Sequence, residues 1–486
     1  IQQEMSGKVE HHEVIVIGAG IAGLKCCQEL NEKGVDFLDL EARERFGGRI
    51  YTDRTGKANY ELGPSWAHDT LTNPLFDEIV NSKDDYGLYY DDQNPYYFGE
   101  KLEDSDYRKY KVNQVVKELK KYIELVYYQE LGRKDVPVKQ IALDYVYRQR
   151  KLLTPEQIEY APQFIRHLEL WHGISWEHMS SKFALVDNVG RNCCLRKGYD
   201  QVINRIVESL PAKSLVRGVA VSKIEHTPKK IEIATTDGNH YTCDFLVVTV
   251  PQSILQLDPK ETGGIEWIPK LPQRITEPLS NMDFGKLGKF VFEFSEPFWK
   301  HHDTDRFIAI ATPKPEETKN VIQSLQNNKA PSFVESDPKE LPKPWDFPVL
   351  ILNLYKVNHV PSLLCFTQGA LTEYIEKNPE KAWNYMKPII SRLAKSPKDV
   401  VDPENVICSQ WTVNPYSRGS YAACTPGNDP TDLVIQLTRG MGNIRFAGEH
   451  TILDGAGAVH GAWMSGKREA KYILIKTGRM KGELDF

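Results

Sequence analysis

Residues 13–41 carry the feature that most constrains the fold. The apolar run EVIVI is typical of a strand buried on both faces, and it leads into a G-x-G-x-x-G turn at Gly18, Gly20 and Gly23. Such glycines make a tight turn, let the backbone approach a pyrophosphate and pack the helix on the strand. After a helical segment, the strand VDFLDL ends at Glu41, whose carboxylate can bind ribose hydroxyls. This unit predicts an α/β fold with a doubly wound parallel sheet and a dinucleotide site.

The remaining chain predicts a second domain inserted into the first. With 486 residues the chain is too long for one ordinary core. Two further buried strands are CDFLVVTV (243–250) and NIRFAG (443–448), and a helix is predicted over 460–477. Amphipathic helices dominate 96–180, and 296–404 mixes aromatic strands with loops rich in Pro, Lys and Glu. We assign 11–95, 200–295 and 405–478 to the dinucleotide-binding domain and 96–199 and 296–404 to the inserted domain.

Three motifs indicate which dinucleotide to expect. EARERFGGRI (41–50) resembles the E-A-R-x-R-x-G-G-R signature of FAD-binding amine oxidases, and NYELGPSW (59–66) and RFAGEHT (445–451) follow in that family's order. Five shorter segments make the chain similar to fungal polyamine oxidases of the spermine-oxidising type: HDTLTNPLF, LELWHG, LGKFVFEF, PYSRGSY and GEHTILDGAG. The resemblance implies a Rossmann-type FAD-binding domain of the GR2-like amine oxidase fold with an inserted α+β substrate-binding domain.

The resemblance also implies which residues hold FAD. Arg49 and the two glycines before it would close over the pyrophosphate, Glu449 would lie on the ribityl chain, and Val459 would offer its backbone N–H to the flavin. Monoamine oxidases attach their flavin through a cysteine before the last helix, and 454–463 contains none, so FAD is expected to be non-covalent. The full expected set is Gly18, Gly20, Gly23, Glu41, Arg43, Gly48, Arg49, Val221, Trp411, Glu449 and Val459.

Four residues are expected, by the same resemblance, to serve the reaction. Lys289 matches the family lysine that reaches the flavin N5 through a water, with Lys286 as the competing candidate. Trp171 and Tyr421 match the aromatic residues that frame the substrate amine beside the flavin. His68 matches a substrate-side histidine. The second histidine of the family pattern is Ala67 in this chain, so the residues for a two-histidine proton relay are incomplete.

A further set is expected to bind the substrate. Asp91 and Asp92 either supply carboxylates to the remote ammonium groups of a polyamine or form a solvated turn. Ala458 stands where some relatives carry a larger residue, so the cavity is expected to be wider there. The full expected set is Trp66, Asp91, Asp92, Asn192 and Ala458.

The function implied by the resemblance is the oxidation of polyamines by O2. Spermine would give spermidine, 3-aminopropanal and H2O2 after hydride transfer from an amine α-carbon to flavin N5. Alternatives are an oxidase of N-acetylated polyamines or of another small amine, a lysine-demethylase-like enzyme, and a flavin-bound scaffold without turnover.

Composition excludes several other classes. The net charge of −5 provides no basic surface for nucleic acid. The eight cysteines form no C-x-x-C pattern, so no metal site is expected and reduced thiols of a cytoplasmic protein are favoured. No stretch approaches the roughly 20 apolar residues of a membrane-spanning helix. The sequence leaves a monomer and a homodimer equally open.

Overall fold

The larger sheet contains the dinucleotide turn. A computed structural model describes residues 9–91, 94–185, 188–329 and 341–484. Neighbouring strands of this eight-stranded sheet run Glu266–Ile268, Val221–Thr227, Lys230–Thr235, His240–Val248, Glu10–Ile17, Phe37–Leu40 and Leu215–Val216, and Ile444–Phe446 also pairs with His240–Val248. The strands around Glu10–Ile17 are parallel to it, as EVIVI predicts, and the pairings on either side of Lys230–Thr235 are antiparallel.

Four parallel strands end at the same level. Ile17 pairs with both Leu40 and Val248, and Val248 pairs with Phe446. The residues that follow these four ends therefore share one edge of the sheet, at which doubly wound folds bind their ligands. Gly18 and Glu41 belong to this edge.

Close backbone contacts fix the turn and the helix after it. A Cβ on Gly23 would lie 1.8 Å from the Gly18 carbonyl oxygen, so only glycine fits there. The helix Ile21–Glu32 is covered by the long C-terminal helix Val459–Lys476, and a Cβ on Gly466 would lie 2.0 Å from the Ala22 carbonyl oxygen. Glycine at both sites lets these elements approach more closely than any side chain would allow.

The second sheet is mixed and has six strands. Their order is Asn405–Cys408, Leu287–Glu293, Ser362–Gln368, Val349–Asn353, Arg306–Ala309 and Tyr96–Phe98. The predicted ranges differ here, because they assign 287–293 and 405–408 to the dinucleotide-binding domain. The aromatic strand KFVFEF is fully buried and pairs on both sides within the second sheet, which places these segments with the inserted residues.

Short strands join the two parts of the chain. Trp66–Ala67 and Leu88–Tyr90 both pair with Cys193–Leu195, which lies in the other predicted domain. Two further pairs are Thr52–Asp53 with Tyr60–Glu61 and Asp283–Phe284 with Ala422–Ala423.

Helices cover both sheets. The amphipathic pattern over 96–180 is confirmed, because the buried side chains of its helices form one core with those of the second sheet. In the described ranges no helix has the length and apolarity to cross a bilayer. The helices are Ile21–Glu32, Pro74–Val80, Asp104–Lys109, Val112–Gln129, Val138–Gln149, Pro155–Ile165, Glu169–His172, Asp200–Glu208, Gln252–Leu255, Gln273–Asn281, Pro315–Gln326, Leu354–Asn358, Gly369–Lys377, Ala382–Ile390, Pro430–Arg439 and Val459–Lys476.

Candidate active site

A cavity of about 770 Å³ is lined from both sheets. Gly18 and Glu41 contribute from the edge of the larger sheet, and Lys289 and Phe366 contribute from the second sheet. Most of the predicted site residues line it: Gly18, Gly20, Glu41, Arg43, Gly48, Arg49, Trp66, His68, Trp171, Asn192, Val221, Lys289, Trp411, Tyr421, Glu449, Ala458 and Val459. Gly23 and Asp91 do not, and Asp92 lies outside the described residues.

Glu41 stabilises the glycine turn by accepting backbone hydrogen bonds. Its Oε2 accepts a hydrogen bond of 2.7 Å from the Ala19 backbone N–H, and its Oε1 accepts one of 2.8 Å from the Arg43 N–H. The carboxylate thus joins the turn after the first strand to the segment after the second. It is buried at the cavity wall, where a ribose hydroxyl could still donate to it.

Two charged groups at this end have buried polar atoms without hydrogen-bond partners. The Nε and Nη2 atoms of Arg43 have none among the described residues, and burial lowers the pKa of its guanidinium to about 10, so it remains a cation at neutral pH. Glu449 accepts from Arg49 at 2.9 Å and from the Ala422 N–H at 3.1 Å through Oε1, whereas its Oε2 is unpartnered. Such groups are costly to leave unpaired. A bound dinucleotide fits them, since its phosphates can pair with Arg43 and its hydroxyls with Glu449.

The glycine turn and the last helix complete this end. A Cβ on Gly48 would lie 3.2 Å from the Gly20 Cα, so the two loops meet without intervening side chains. Val459 begins the 18-residue C-terminal helix, and the positive end of its dipole therefore faces the cavity. Trp411 is fixed by its indole N–H, which donates to the Leu62 carbonyl at 2.7 Å. Val221 is the first residue of its strand.

Lys289 is a buried cation beside the cavity. Its Nζ donates to the carbonyl oxygens of Glu61 at 3.0 Å and of Gly63, and to Ser65 Oγ at 2.8 Å. Burial lowers the pKa of Lys289 and raises the pKa of the Glu61 carboxyl. Three acceptors already engage the three N–H groups of an ammonium, so a water must replace one of them to reach Nζ.

The competing Lys286 is placed differently. It pairs with Glu373 at 2.8 Å, and 40% of its side chain is exposed. It does not line the cavity. The geometry therefore favours Lys289.

Two aromatic residues are held on one wall. The Tyr421 hydroxyl donates to the backbone carbonyl of Trp171, and both residues line the cavity. The edge of the His167 ring lies against Trp171, with ring centroids 4.8 Å apart. Trp171 is nevertheless 44% exposed, which indicates that it stands near the opening of the cavity.

The region around His68 contains a second histidine that the sequence did not indicate. His68 Nδ1 lies 3.0 Å from Asn192 Oδ1, which favours the tautomer with Nε2 as the basic atom. The next residue, Asp69, lies 3.3 Å from Nε2 of His460 on the C-terminal helix. Burial lowers the pKa of His460. Position 67 is an alanine. The histidine found beside the segment of His68 is instead His460, which contacts Asp69 from a distant part of the sequence.

Neither expectation for Asp91 matches the structure. Asp91 is only 6% exposed, so it is not part of a solvated turn. Its Oδ2 accepts from the Trp66 indole N–H at 3.1 Å and pairs with Arg306 Nη2. It pairs with a cation and lines a separate cavity of about 40 Å³ behind Trp66, not the large cavity, so it is not placed to bind the ammonium of a substrate there.

Three residues that touch this site were missed at the sequence level. Glu61 lies within the NYELGPSW motif, and this position in the motif is the signal by which the sequence could have identified it. The centroid of the Phe366 ring lies 4.6 Å from Lys289 Nζ, and the ring stacks on Trp66. The sequence of its strand is typical of any buried strand and does not mark Phe366 as a site residue. Arg306 lies over the Trp66 ring at 5.4 Å, and no motif marks it.

Several known proteins are similar to this chain over most of its length. Over the described ranges, no group of three His, Cys, Asp or Glu residues is placed to hold a metal ion. A protein of Candida albicans named corticosteroid-binding protein is 37% identical over 95% of this chain and 96% of its own length. Polyamine oxidase 2 of Arabidopsis thaliana is 26% identical, over 98% and 91%, and polyamine oxidase 5 of Oryza sativa is 27% identical, over 93% and 86%. The family model described as flavin containing amine oxidoreductase matches residues 21–474. This chain therefore belongs to the flavin containing amine oxidoreductase family.

Proposed function

We propose that this chain binds FAD non-covalently and oxidises polyamines with O2 as the electron acceptor. The observation that carries the proposal is that one cavity is lined by Lys289, Trp171 and Tyr421 and also by Arg43 and Glu449. Arg43 and Glu449 both have polar atoms without hydrogen-bond partners among the described residues. The family implies a flavin, and two relatives that match nearly the whole chain are named polyamine oxidases.

The protein residues have distinct roles in this proposal. FAD, when bound, supplies the acceptor for a hydride from the carbon beside the substrate nitrogen. Trp171 and Tyr421 orient the amine, which must be uncharged to release that hydride. His68 Nε2 is the basic atom that accepts the proton the nitrogen loses, because Nδ1 is turned to Asn192. Lys289 supplies a buried positive charge beside the cavity.

The products follow from the bond that breaks. Spermine, O2 and water would give spermidine, 3-aminopropanal and H2O2, with cleavage beside a secondary nitrogen. An N-acetylated polyamine is the alternative substrate of the same reaction.

One assay tests the proposal. The purified protein is supplied separately with spermine, N1-acetylspermine, spermidine and benzylamine, and H2O2 release is measured. We expect release with at least one of the three polyamines and little with benzylamine. Silence with all four amines, with flavin bound, would contradict the proposed activity.

The attachment of the flavin is tested independently. Because 454–463 contains no cysteine, acid precipitation should release all of the flavin into the supernatant. A yellow pellet would show a covalent bond.

A second candidate is ligand binding without turnover. It is favoured by the relative named corticosteroid-binding protein and by a cavity of about 770 Å³, which lies in the usual size range of small-molecule sites. Saturable binding of a radiolabelled corticosteroid, together with silence in the amine assay, would support it. Amine oxidation unaffected by the steroid would argue against it.

A further inference from the structure

One carboxylate of the cavity belongs to the loop of His68 and not to the dinucleotide motifs. Among the described residues, the carboxylates that line the cavity are Glu41, Asp69 and Glu449. Glu41 accepts backbone hydrogen bonds beside the glycine turn, and Glu449 pairs with Arg49. Asp69 follows His68 in the chain, and 19% of its side chain is exposed. It is therefore the described anionic group that a cation beside His68 can reach.

The side chain of Asp69 is held in a fixed direction. Its φ of 53° lies in the left-handed region, which few residues other than glycine adopt and which Asp tolerates better than most. Its Oδ1 accepts a hydrogen bond of 2.8 Å from the Val189 backbone N–H, and the Val189 carbonyl accepts one of 3.1 Å from the Leu71 N–H. The Thr72 N–H donates to the Asp69 carbonyl at 2.8 Å. A carboxylate fixed in advance loses little freedom when it binds a cation.

A buried histidine lies behind the second carboxylate oxygen. Nε2 of His460 is 3.3 Å from Asp69 Oδ2, and only 3% of the His460 side chain is exposed. His460 does not line the cavity. Burial lowers the pKa of His460 and outweighs the nearby carboxylates; the groups whose charges act on the ring are Asp69, His68 and Asp454. The ring is therefore neutral at neutral pH and does not cancel the charge of Asp69.

The carboxylate of Asp69 keeps acceptor capacity. An ionised carboxylate offers about four lone-pair directions, and Val189 and His460 face two of them. The nitrogens of a polyamine that are not being oxidised are ammonium ions at neutral pH. An ammonium that donates to an ionised carboxylate forms a hydrogen bond roughly twice as strong as one between neutral groups.

We propose that Asp69 binds a protonated nitrogen of the polyamine and that His460, once its ring is protonated, withdraws this carboxylate from the substrate. The inference rests on the proposed oxidation of polyamines and assigns a binding residue and a pH response to that activity. A protonated His460 pairs with Asp69 Oδ2 and adds a positive charge behind it, which weakens the binding of a second cation. Alkylammonium groups stay protonated throughout this range, so the change in affinity comes from the protein.

Calorimetric titration of the holoenzyme with 1,8-diaminooctane tests the carboxylate. This diamine carries two ammonium groups and no secondary nitrogen, and the titration is made without O2. We expect Asp69→Asn to raise its Kd by about ten-fold or more at neutral pH, because the amide oxygen still accepts from Val189 but carries no charge. Equal Kd values in wild type and Asp69→Asn, or no measurable binding by wild type, would overturn the role of Asp69.

The matched control for that titration is Asp454→Asn. This variant removes an exposed carboxylate that also acts on the His460 ring but does not line the cavity. Its Kd for the diamine should stay within about two-fold of wild type. A loss as large as that of Asp69→Asn would show that negative charge in the region, and not Asp69 itself, attracts the diamine.

The pH dependence of the same Kd tests the histidine. Wild type should bind progressively less tightly as pH falls below about 6.5, the ordinary pKa of histidine. His460→Gln should lose most of this dependence, and so should Asp69→Asn, which leaves the buried ring unchanged. His68→Gln separates the other ring that acts on the pair. A dependence that persists in Asp69→Asn, or that disappears in His68→Gln but not in His460→Gln, would overturn the role of His460.

H2O2 release separates this inference from the proposed function. If polyamines are oxidised, Asp69→Asn should raise KM more than it lowers kcat, because the role of Asp69 is binding. Diamine binding that depends on Asp69, without H2O2 release from any polyamine, would contradict the proposed oxidation alone. Polyamine oxidation with equal diamine Kd values in wild type and Asp69→Asn would contradict this inference alone.

Discussion

At the scale of single residues, the site depends on buried charges that other groups hold in place. Lys289 is one of these charges, and hydrogen bonds hold the strand that carries it. Its backbone N–H donates to Ser409 Oγ at 2.9 Å, and Ser409 Oγ in turn donates to the buried carboxylate of Glu376. Glu376 also accepts from the backbone N–H of Trp411 at 3.0 Å. One carboxylate therefore fixes both the strand that carries Lys289 and a tryptophan of the cavity wall.

The first prediction concerns this lysine. Lys289→Met should slow turnover several-fold or more, because the cavity loses the buried ammonium of Lys289 while the dinucleotide end is unchanged. The measurements are kcat by H2O2 release and flavin content by absorbance. Lys286→Met is the matched control and should behave like wild type, since Lys286 forms a partly exposed ion pair away from the cavity. Equal kcat values for the two variants would contradict the role given to Lys289.

At the scale of elements, the close contact between two helices holds the dinucleotide turn. The helix Ile21–Glu32 begins directly after the glycine turn, and Val459–Lys476 packs across it where Gly466 meets Ala22. The same C-terminal helix begins at the cavity. The distance between the two helices therefore affects both the turn and the wall opposite it.

The second prediction tests that contact. Helix propensity alone would make Gly466→Ala stabilising by about 1 kcal/mol. The new Cβ would lie 2.0 Å from the Ala22 carbonyl oxygen, so we expect a loss of about 1–3 kcal/mol, seen as a lower Tm. Lys471→Ala, on the exposed face of the same helix, should leave Tm nearly unchanged. An increased Tm for Gly466→Ala would show that the helices can separate at little cost.

At the scale of the whole molecule, histidines that are buried or half-buried make stability depend on pH. Burial lowers the pKa of His450 and of His302 to about 4 and that of His167 to about 3. An unfolded chain protonates these rings below about pH 6.5, whereas the folded protein does not until its lower pKa is reached. The unfolded state binds more protons in this window, so stability is lost as pH falls through it.

The third prediction follows from that sign. The Tm of the holoenzyme should fall steadily between pH 6.5 and 5, where most carboxylates stay ionised. For the 4% exposed His450, the full shift corresponds to a contribution on the order of 3 kcal/mol. His450→Gln should make the decline shallower. A flat Tm across this range, in wild type and variant alike, would contradict the assignment.

The sequence predicted more of the dinucleotide end than of the substrate end. Gly18 and Glu41 could be placed from local pattern alone, because a strand, a turn and a second strand position them within 30 residues. The strand Leu287–Glu293 pairs within the second sheet although the predicted range 200–295 includes it in the dinucleotide-binding domain, since pairing between distant strands leaves no mark in local periodicity. Arg306 and its pairing with Asp91 were missed for the same reason: the contact joins residues 215 positions apart.

The alignment of four strand ends also governs when the protein can first bind its cofactor during synthesis. Two of those strands lie within the first 40 residues, one ends at Val248, and the last, Ile444–Phe446, precedes the helix that covers the turn. A nascent chain has the glycine turn early but lacks the far wall until residue 476 has left the ribosome, and domains generally fold as units during synthesis. The cofactor should therefore bind late in synthesis. Until then the earlier strands remain partly unpaired, because Ile444–Phe446 is the last of the four to be synthesised.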